Sequence, residues 1–325
     1  MKSGATGSSS SAAVWAALTT VYIVWGSTYL AIRVVVEAGI PPILGMGMRF
    51  LAAAVIFMAI LAGRDGPSSL RVSARELRGA AIMGILLLIG GNGLVAVSEQ
   101  TVPSGLTALI IGAVPLWFVL LRFSGGDRPR RLTWLGVLVG FTGIATISVP
   151  RGGIEGVEAW GVVLLLAATA SWAIGSYLAP RLNLPKRTAV AVSYEMLVAG
   201  LLMTIGASLF GDLAELRNTS ISTDGWLALA YLIVFGSILA FTAYGYALAN
   251  APLSLVGTYA YVNPVVAVFL GWLILSESIT AVVVVGGALV VVGVALVVSA
   301  ERPGKAPGRL KLSPEPKASS ASKGR

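Results

Sequence analysis

The chain of 325 residues is 56% hydrophobic and only 11% charged, with a mean hydropathy of +0.87 and a formal net charge of +9. Because soluble domains usually carry about 25% charged residues, this composition excludes an ordinary soluble domain. The absence of cysteine and histidine excludes disulfides, thiolate nucleophiles, and zinc sites or proton relays built on imidazole. We therefore predict no cofactor and no metal, and any proton chemistry would use Asp, Glu, Tyr or water.

Apolar runs of roughly 20 residues recur along the chain, and each is long enough to cross a hydrocarbon core of ~30 Å. Inside lipid every backbone polar group needs an internal partner, so such runs must form helices. The first run is read as a retained helix because it is longer than a signal-peptide core. The candidate spans are residues 12–32, 42–62, 77–98, 104–121, 132–149, 159–179, 188–210, 226–248, 253–275 and 279–299. Residues 1–11 and the basic tail 300–325 are predicted to be disordered.

The distribution of Lys and Arg predicts the orientation of these helices. With the N-terminus inside, nineteen of the 23 basic residues fall in cytoplasmic segments, and only Arg33, Arg151 and Arg217 fall outside. This predicts a multi-pass protein of the cytoplasmic (inner) membrane with both termini in the cytoplasm. The net positive charge is thus a topology signal, and no nucleic-acid partner is predicted.

The second half of the chain matches the first at a shift of roughly 146–150 positions. Repeat-related pairs in chain order are Trp25 and Trp172, Arg49 and Glu195, Pro103 and Pro252, Pro115 and Pro264, Asp127 and Glu277, Gly136 and Gly286, and Gly143 and Gly293. Each repeat, 12–149 and 159–299, would hold five helices, so the second must enter the membrane from the opposite side. The predicted fold class is therefore an all-α integral membrane protein of ten transmembrane helices in two inverted five-helix repeats. That arrangement is typical of secondary transporters.

Three groups of motifs carry a resemblance to a known family. The first group, in the second repeat, is 249–254 (ANAPLS), 261–264 (YVNP) and 275–280 (LSESIT). The second group is the matching part of the first repeat, from 99–105 (EQTVPSG) to 114–117 (VPLW), and the third is the opening motifs 25–27 (WGS) and 48–50 (MRF). Together they resemble EamA-type transporters of the drug/metabolite transporter superfamily. The resemblance implies ten helices, a central cavity that opens alternately to each side, and amino acids, nucleobases, sugars or related metabolites as cargo, often moved outward. Asp127 stands where the family usually places a Glu, which weakens any role carried over to that position.

Two charged residues lie well inside predicted spans, Arg49 in the second helix and Glu195 in the seventh. A charge at the centre of a membrane helix costs at least ~2.5–3.5 kcal/mol, so each needs an explanation. Their positions leave ~10 Å of depth between them, which favours opposite vestibules of one pathway over a tight ion pair. Glu195 is then the candidate carboxylate for proton coupling. The alternative is that each side chain only reaches its own interface and aids folding.

Further polar and aromatic side chains are predicted to line the same substrate pathway, with membrane packing or an interfacial belt as the alternative for each. They are Trp25, Asn92, Trp117, Trp172, Tyr194, Tyr244, Tyr259 and Asn263. Pro115 and Pro264 interrupt the helical hydrogen bonding of the fourth and ninth spans, and serve either as paired hinges or as static bends.

The sequence predicts a transporter and no enzyme, because no catalytic constellation is found. The predicted function is secondary transport of small metabolites, amino-acid-like or otherwise polar or amphipathic, by alternating access, with efflux and proton coupling left open. A lipid or lipid-linked head-group translocase of the same fold is the alternative. Besides the substrate, membrane lipid is the expected partner. Gly136 and Gly140 form a small-xxx-small pattern that suits either a neighbouring helix or a homodimer.

Overall fold

The structure is a computed structural model that describes residues 11–126, 128–148, 157–251 and 258–301. Within these ranges the regular secondary structure is entirely helical, with no strand. The predicted all-α class is therefore confirmed for the described part of the chain. Asp127 lies outside it, and so do the predicted tails apart from their innermost residues.

Within the described residues, the helices lie where the apolar runs predict them. In the first half these are α1 (Ser11–Glu37), α2 (Pro42–Asp65), α3 (Ala74–Ser98), α4 (Ser104–Ser124) and α5 (Arg131–Ser148). In the second half these are α6 (Ala159–Leu178), α7 (Thr188–Leu209), α8 (Thr223–Tyr231, Leu232–Leu239 and Ala240–Asn250), α9 (Tyr259–Leu275) and α10 (Ala281–Glu301). Short helical turns at Pro67–Leu70 and Ala179–Arg181 and a short helix at Asp212–Asn218 join some of them.

Eight of the described helices are long and apolar enough to cross a membrane. The other two, α5 and α9, are apolar but shorter, and both border residues outside the described ranges, 149–156 and 252–257. The bundle surface is also apolar, since Leu138 is 65% exposed and Val163 61% exposed. Such extensive apolar exposure is unfavourable in water and favourable in lipid. The chain is therefore an integral membrane protein.

The C-terminal end of α1 differs from its predicted position. Helix α1 continues to Glu37, five residues beyond its predicted end at position 32. Arg33 is thus helical and does not lie in a loop, and its Nε donates to Glu37 Oε1 at 2.5 Å one turn later. Such an i,i+4 pair supports the last turn of a helix.

The ends of the helices sort into two groups. At one end, Arg187 pairs with Asp65 at 2.6 Å, and the Tyr194 hydroxyl donates to the Leu70 carbonyl at 2.8 Å. At the other end, Gly39 lies against Thr219, and the Glu277 carboxylate accepts a hydrogen bond from Ser104 at the start of α4. Successive helices therefore run up and down. Most described basic residues gather at the first end: Arg64, Arg71, Arg75, Arg78, Arg122, Arg128, Arg130, Arg131, Arg181, Lys186 and Arg187.

Two helices contain π-helical segments, Gly84–Gly93 in α3 and Leu232–Leu239 in α8. Their first residues are 148 positions apart, a separation close to the repeat shift in the sequence. Side chains bond to carbonyls in both segments: Ser171 Oγ donates to Leu86 O at 2.7 Å, and Ser237 Oγ donates to Leu232 O at 3.0 Å. Wide helical turns of this kind are frequent at functional sites.

The two prolines predicted as hinges occupy different helical contexts. Helix α4 is broken after Ile111, and Pro115 stands in the first turn of its second half, Val114–Ser124. There its missing N–H sacrifices no helical hydrogen bond, so the predicted kink at Pro115 is instead a break just before it. Pro264 does lie inside α9. The two sites meet, because a Cβ on Gly112 would lie 3.0 Å from the Pro264 ring.

Helices α5 and α10 pack with their backbones in close contact. A Cβ on Gly136 would lie 2.7 Å from the Gly293 carbonyl oxygen, and one on Gly143 would lie 2.6 Å from the Gly286 carbonyl oxygen. The small-residue face of α5 thus packs against a neighbouring helix of the same chain. In the repeat, Gly136 corresponds to Gly286 and Gly293 corresponds to Gly143. The contact between Gly136 and Gly293 therefore corresponds to the contact between Gly286 and Gly143.

Candidate functional site

Arg49 is buried between α2 and the π-helical segment of α8, with 2% of its surface exposed. Its Nε donates to Ser237 Oγ at 3.0 Å, Nη2 donates to the Gly236 carbonyl at 3.4 Å, and Nη1 approaches Met46 Sδ at 3.7 Å. The guanidinium also lies 4.8 Å from the centre of the Phe50 ring. Within the described residues, no carboxylate forms an ion pair with Arg49. The cation is therefore held by neutral groups alone.

The Arg49 guanidinium reaches the Gly236 carbonyl at a place where α8 supplies Gly236 and α1 supplies Thr28, both small residues. A Cβ on Gly236 would lie 3.0 Å from Thr28 Cγ2 and 3.4 Å from Arg49 Nη2. Glycine at this position thus lets α1 approach closely, because a Cβ there would crowd the Thr28 methyl group. Thr28 in turn donates its hydroxyl proton to the Trp25 carbonyl at 2.7 Å, one turn earlier on α1.

Three predicted pathway residues meet in an aromatic cluster, which we define as Trp25, Phe241, Tyr244 and Tyr259. The Trp25 ring lies 5.2 Å from Phe241, 4.9 Å from Tyr244 and 5.5 Å from Tyr259, centre to centre. These distances are typical of favourable edge and tilted ring contacts. The cluster joins α1, α8 and α9 near the segment that holds Arg49.

Asn263 lies on α9, one turn after Tyr259, and its side chain is almost fully buried. Its Oδ1 atom is buried without a hydrogen-bond partner. A buried amide oxygen in that state costs free energy, and such a group normally has a partner in the working state of a protein. Asn263 thus holds an unused hydrogen-bond acceptor inside the bundle.

The remaining predicted residues fall in two other places. Trp172 of α6 covers Gly91 in the π-helical segment of α3, where Asn92 donates to Leu87 O at 3.3 Å, and Trp117 donates to Thr169 Oγ1 at 2.8 Å. Tyr194 is held by the Leu70 carbonyl at the basic end of the bundle, away from the aromatic cluster.

Glu195 is buried in α7, where its backbone packs against Gly84 at the start of the α3 π-helical segment. Helices α2 and α7 are antiparallel, with Gly47 beside Thr204 and Leu51 beside Gly200. In this register Arg49 lies about two turns of helix from Glu195, and no ion pair joins the two in the described structure.

Sequence reasoning assigned no role to Glu99, which the structure buries completely between α3 and α4. Both of its carboxylate oxygens are buried without a hydrogen-bond partner. Burial raises the pKa of the Glu99 carboxyl well above its ordinary value; nearby Arg33 opposes this rise, and Glu277 and Glu37 add to it. A glutamate just outside an apolar run would normally reach water, so the sequence carried no signal for this burial.

Glu277 has the opposite environment, because donors saturate its carboxylate. Ser104 N and Ser104 Oγ donate to Oε1 at 2.7 and 2.8 Å, and Gly105 N donates to Oε2 at 3.0 Å. The residue before α10 thereby caps the N-terminus of α4, where unpaired N–H groups and the helix dipole favour an anion. An open depression of about 410 Å³ beside it is lined by Trp272, Leu273, Ser276, Glu277, Ser278 and Ile279, and lies away from Arg49 and the aromatic cluster.

Comparisons with known proteins agree with this architecture. The EamA-like transporter family matches residues 11–149 and 159–299. The "Uncharacterized inner membrane transporter YedA" of Escherichia coli K12 is 40% identical over 288 residues, covering 84% of this chain and 90% of that protein. The "Probable terminal-alkyne amino-acid exporter" of Streptantibioticus cattleyicolor is 31% identical over 313 residues, covering 92% and 99%. One solved crystal structure shares the fold, with a TM-score of 0.62 at 22% identity over 89% of this chain and 96% of the other.

Proposed function

Since the chain belongs to the EamA-like transporter family, we propose that it is a secondary transporter that moves small amino-acid-like or otherwise amphipathic metabolites across the cytoplasmic membrane by alternating access. The relative that is named as an amino-acid exporter supports this class of substrate, and export as the direction.

The observation that carries the proposal is the buried Arg49 guanidinium without an acidic partner. Removing a cation from water costs several kcal/mol unless hydrogen bonds and an opposite charge compensate for it. Here one good hydrogen bond, to Ser237 Oγ at 3.0 Å, and two long contacts leave the planar donor fork largely unused. A carboxylate accepts two parallel hydrogen bonds from such a fork, so a solute with a carboxylate supplies the missing anion.

The aromatic cluster and Asn263 complete a site for an amphipathic molecule. The rings offer apolar contact to the uncharged part of a solute, and the Asn263 amide oxygen accepts a hydrogen bond from an amine or hydroxyl. Thr28 and Gly236 connect this region to Arg49. Charge at one end and rings at the other favour a solute of amino-acid size and polarity.

Three features support two inverted repeats of five helices. The π-helical segments of α3 and α8 are separated by nearly the repeat shift, and the glycine contacts between α5 and α10 exchange under it. The described basic residues also gather at one end of the bundle. We place that end in the cytoplasm, with both termini. The contact between the broken α4 and Pro264 is our candidate pivot for alternating access.

Uptake of labelled carboxylates and amino acids into proteoliposomes tests this function. Arg49→Gln should abolish uptake of carboxylate-bearing solutes, and Arg49→Lys should retain only part, because an ammonium lacks the planar fork. The matched control is Arg217→Gln, which removes the same charge from an exposed position and should transport like the wild type. In the same assay Glu195→Gln should change uptake or its pH dependence if Glu195 lines the pathway.

Two results would overturn the proposal. Wild-type uptake by Arg49→Gln would remove the recognition role of the arginine. Scrambling of labelled lipid without flux of any solute would instead identify a lipid or lipid-linked head-group translocase.

A further inference from the structure

Glu99 lies at the end of the bundle opposite the one where most described basic residues gather, in the connection between α3 and α4, and none of its surface is exposed. Neither carboxylate oxygen has a hydrogen-bond partner. An ionised carboxylate in this environment would lose its hydration without gaining a compensating donor, which is among the most unfavourable arrangements in a protein. The neutral acid is much less costly there.

The neighbouring charges explain why no partner is available. On α1, the Arg33 guanidinium is already bound by Glu37 Oε1 at 2.5 Å and donates from Nη1 to the backbone carbonyl of Glu99. Tyr29 on α1 also faces Glu99. Ahead of α10, Glu277 carries a second carboxylate, and the N-terminus of α4 already satisfies it. The surrounding charged groups thus include one cation, which is already committed, and two other carboxylates.

We propose that Glu99 is a proton-binding site, and that release of its proton to the aqueous phase at this end draws the Arg33 guanidinium from Glu37 onto the Glu99 carboxylate. The guanidinium already donates to the backbone carbonyl of the same residue, so it lies close to the carboxylate that it would bind. The pKa raised by burial agrees in direction with a proton held by the folded protein. Glu37 is the last residue of α1, and Glu99 lies shortly before α4. The exchange therefore changes the contact between α1, which carries Trp25, and α4, which is broken before Pro115.

The proton site stands on the geometry of Glu99 alone, whereas its coupling to solute movement rests on the proposed function. The first measurement therefore needs no substrate. Infrared spectra of the purified full-length protein, titrated upward in pH, should contain a protonated carboxyl band that disappears at high pH and is diminished in Glu99→Gln. Glu215→Gln, at an exposed position near the same end, is the matched control and should keep the band.

A second variant keeps the test independent of how well Glu99→Gln folds. Arg33→Gln removes the cation that favours the ionised form, so the titration midpoint of the band should move to higher pH. The buried Glu195 can contribute a band of its own, so the decisive quantity is the part of the signal that Glu99→Gln removes. A protonated carboxyl signal of undiminished intensity in Glu99→Gln, or a midpoint of the Glu99 component that is unchanged in Arg33→Gln, would overturn the proton site.

Stability gives a second readout with a defined sign. A carboxyl that keeps its proton in the folded state stabilises that state below the ordinary glutamate pKa of 4.5, and this contribution is lost as pH rises towards the raised value. The thermal unfolding midpoint of the wild type should therefore fall over this range more steeply than that of Glu99→Gln. Equal slopes would contradict the proposal. In proteoliposomes, loss of pH-gradient-driven uptake in Glu99→Gln, with uptake by Arg49→Gln abolished as well, would connect the proton site to transport.

Discussion

Glu277 links two distant parts of the chain through one carboxylate. Its oxygens accept three hydrogen bonds from Ser104 and Gly105, and removing the carboxylate leaves these donors at the N-terminus of α4 without their protein acceptor. Hydrogen bonds to a charged group contribute about 1.5–3 kcal/mol each before losses, so Glu277→Ala should lower stability by an amount on the order of 1–3 kcal/mol. Thermal unfolding in detergent measures this change.

The control for this prediction is the next residue. Ser278 is exposed and follows the same turn, so Ser278→Ala should leave the unfolding midpoint unchanged. If Glu277→Ala unfolds at the wild-type midpoint, the hydrogen bonds from α4 contribute nothing measurable, and water or another acceptor replaces the carboxylate.

At the scale of single residues, sequence reasoning located unusual side chains but did not identify their partners. A charge inside an apolar run is visible in the sequence, which is why Arg49 and Glu195 could be singled out. Both side chains are buried in the structure, and their place in a substrate pathway stays a prediction. Glu99 could not be found this way, because it follows an apolar run where carboxylates usually meet water. The charged groups that act on its carboxyl, Arg33 and Glu277, are far away in the sequence and come near it only in the folded bundle.

The pair of helices α5 and α10 offers a test at the scale of elements. A Cβ on Gly293 would lie 2.4 Å from Gly140 N and 2.7 Å from Gly136 O. Backbone atoms cannot rotate away as side-chain ends can, so the two helices must separate. Overpacking of this kind typically costs about 1–3 kcal/mol, and Gly293→Ala should lower the thermal unfolding midpoint accordingly.

Gly206→Ala provides the matched control for the helix pair. Gly206 also lies inside a transmembrane helix, but no atom lies within 4 Å of the position that its Cβ would occupy. Alanine is the better helix former, so this change should be neutral or slightly stabilising. Equal destabilisation by both substitutions would mean that glycine itself, and not the close approach, stabilises these helices.

Long apolar runs predict where the helices lie but not the local geometry within each helix. The order and approximate place of the described helices follow from runs of about 20 apolar residues. The π-helical segments do not, because a wide turn has the same apolar composition as an ordinary one and depends on groups such as Ser171 and Arg49 that bond to its carbonyls. The break in α4 was likewise read as a kink, since Pro115 marks an interruption but not its geometry.

At the scale of the whole molecule, duplication and the distribution of basic residues are sequence properties that concern every helix at once. They predict that corresponding loops of the two halves face opposite sides of the membrane. The loop after α2 contains Ser68 and the loop before α8 contains Ser220, and both side chains are exposed in the structure. These two loops follow the second helix of each repeat and therefore provide a direct comparison.

The absence of cysteine makes this comparison clean, because a single introduced thiol is the only reactive one in the chain. In intact cells, a membrane-impermeant maleimide should label Ser220→Cys and should leave Ser68→Cys unlabelled until the membrane is opened. Each repeat has an odd number of helices, so the second copy enters the membrane from the opposite side. The arginines near Ser68 favour the cytoplasm for the loop of the first copy. Labelling of both thiols from the same side would contradict the inverted arrangement, and with it the enclosure of Arg49 between two oppositely oriented halves. Labelling of Ser68→Cys alone would keep the inversion and reverse the orientation, so that Glu99 would release its proton on the cytoplasmic side.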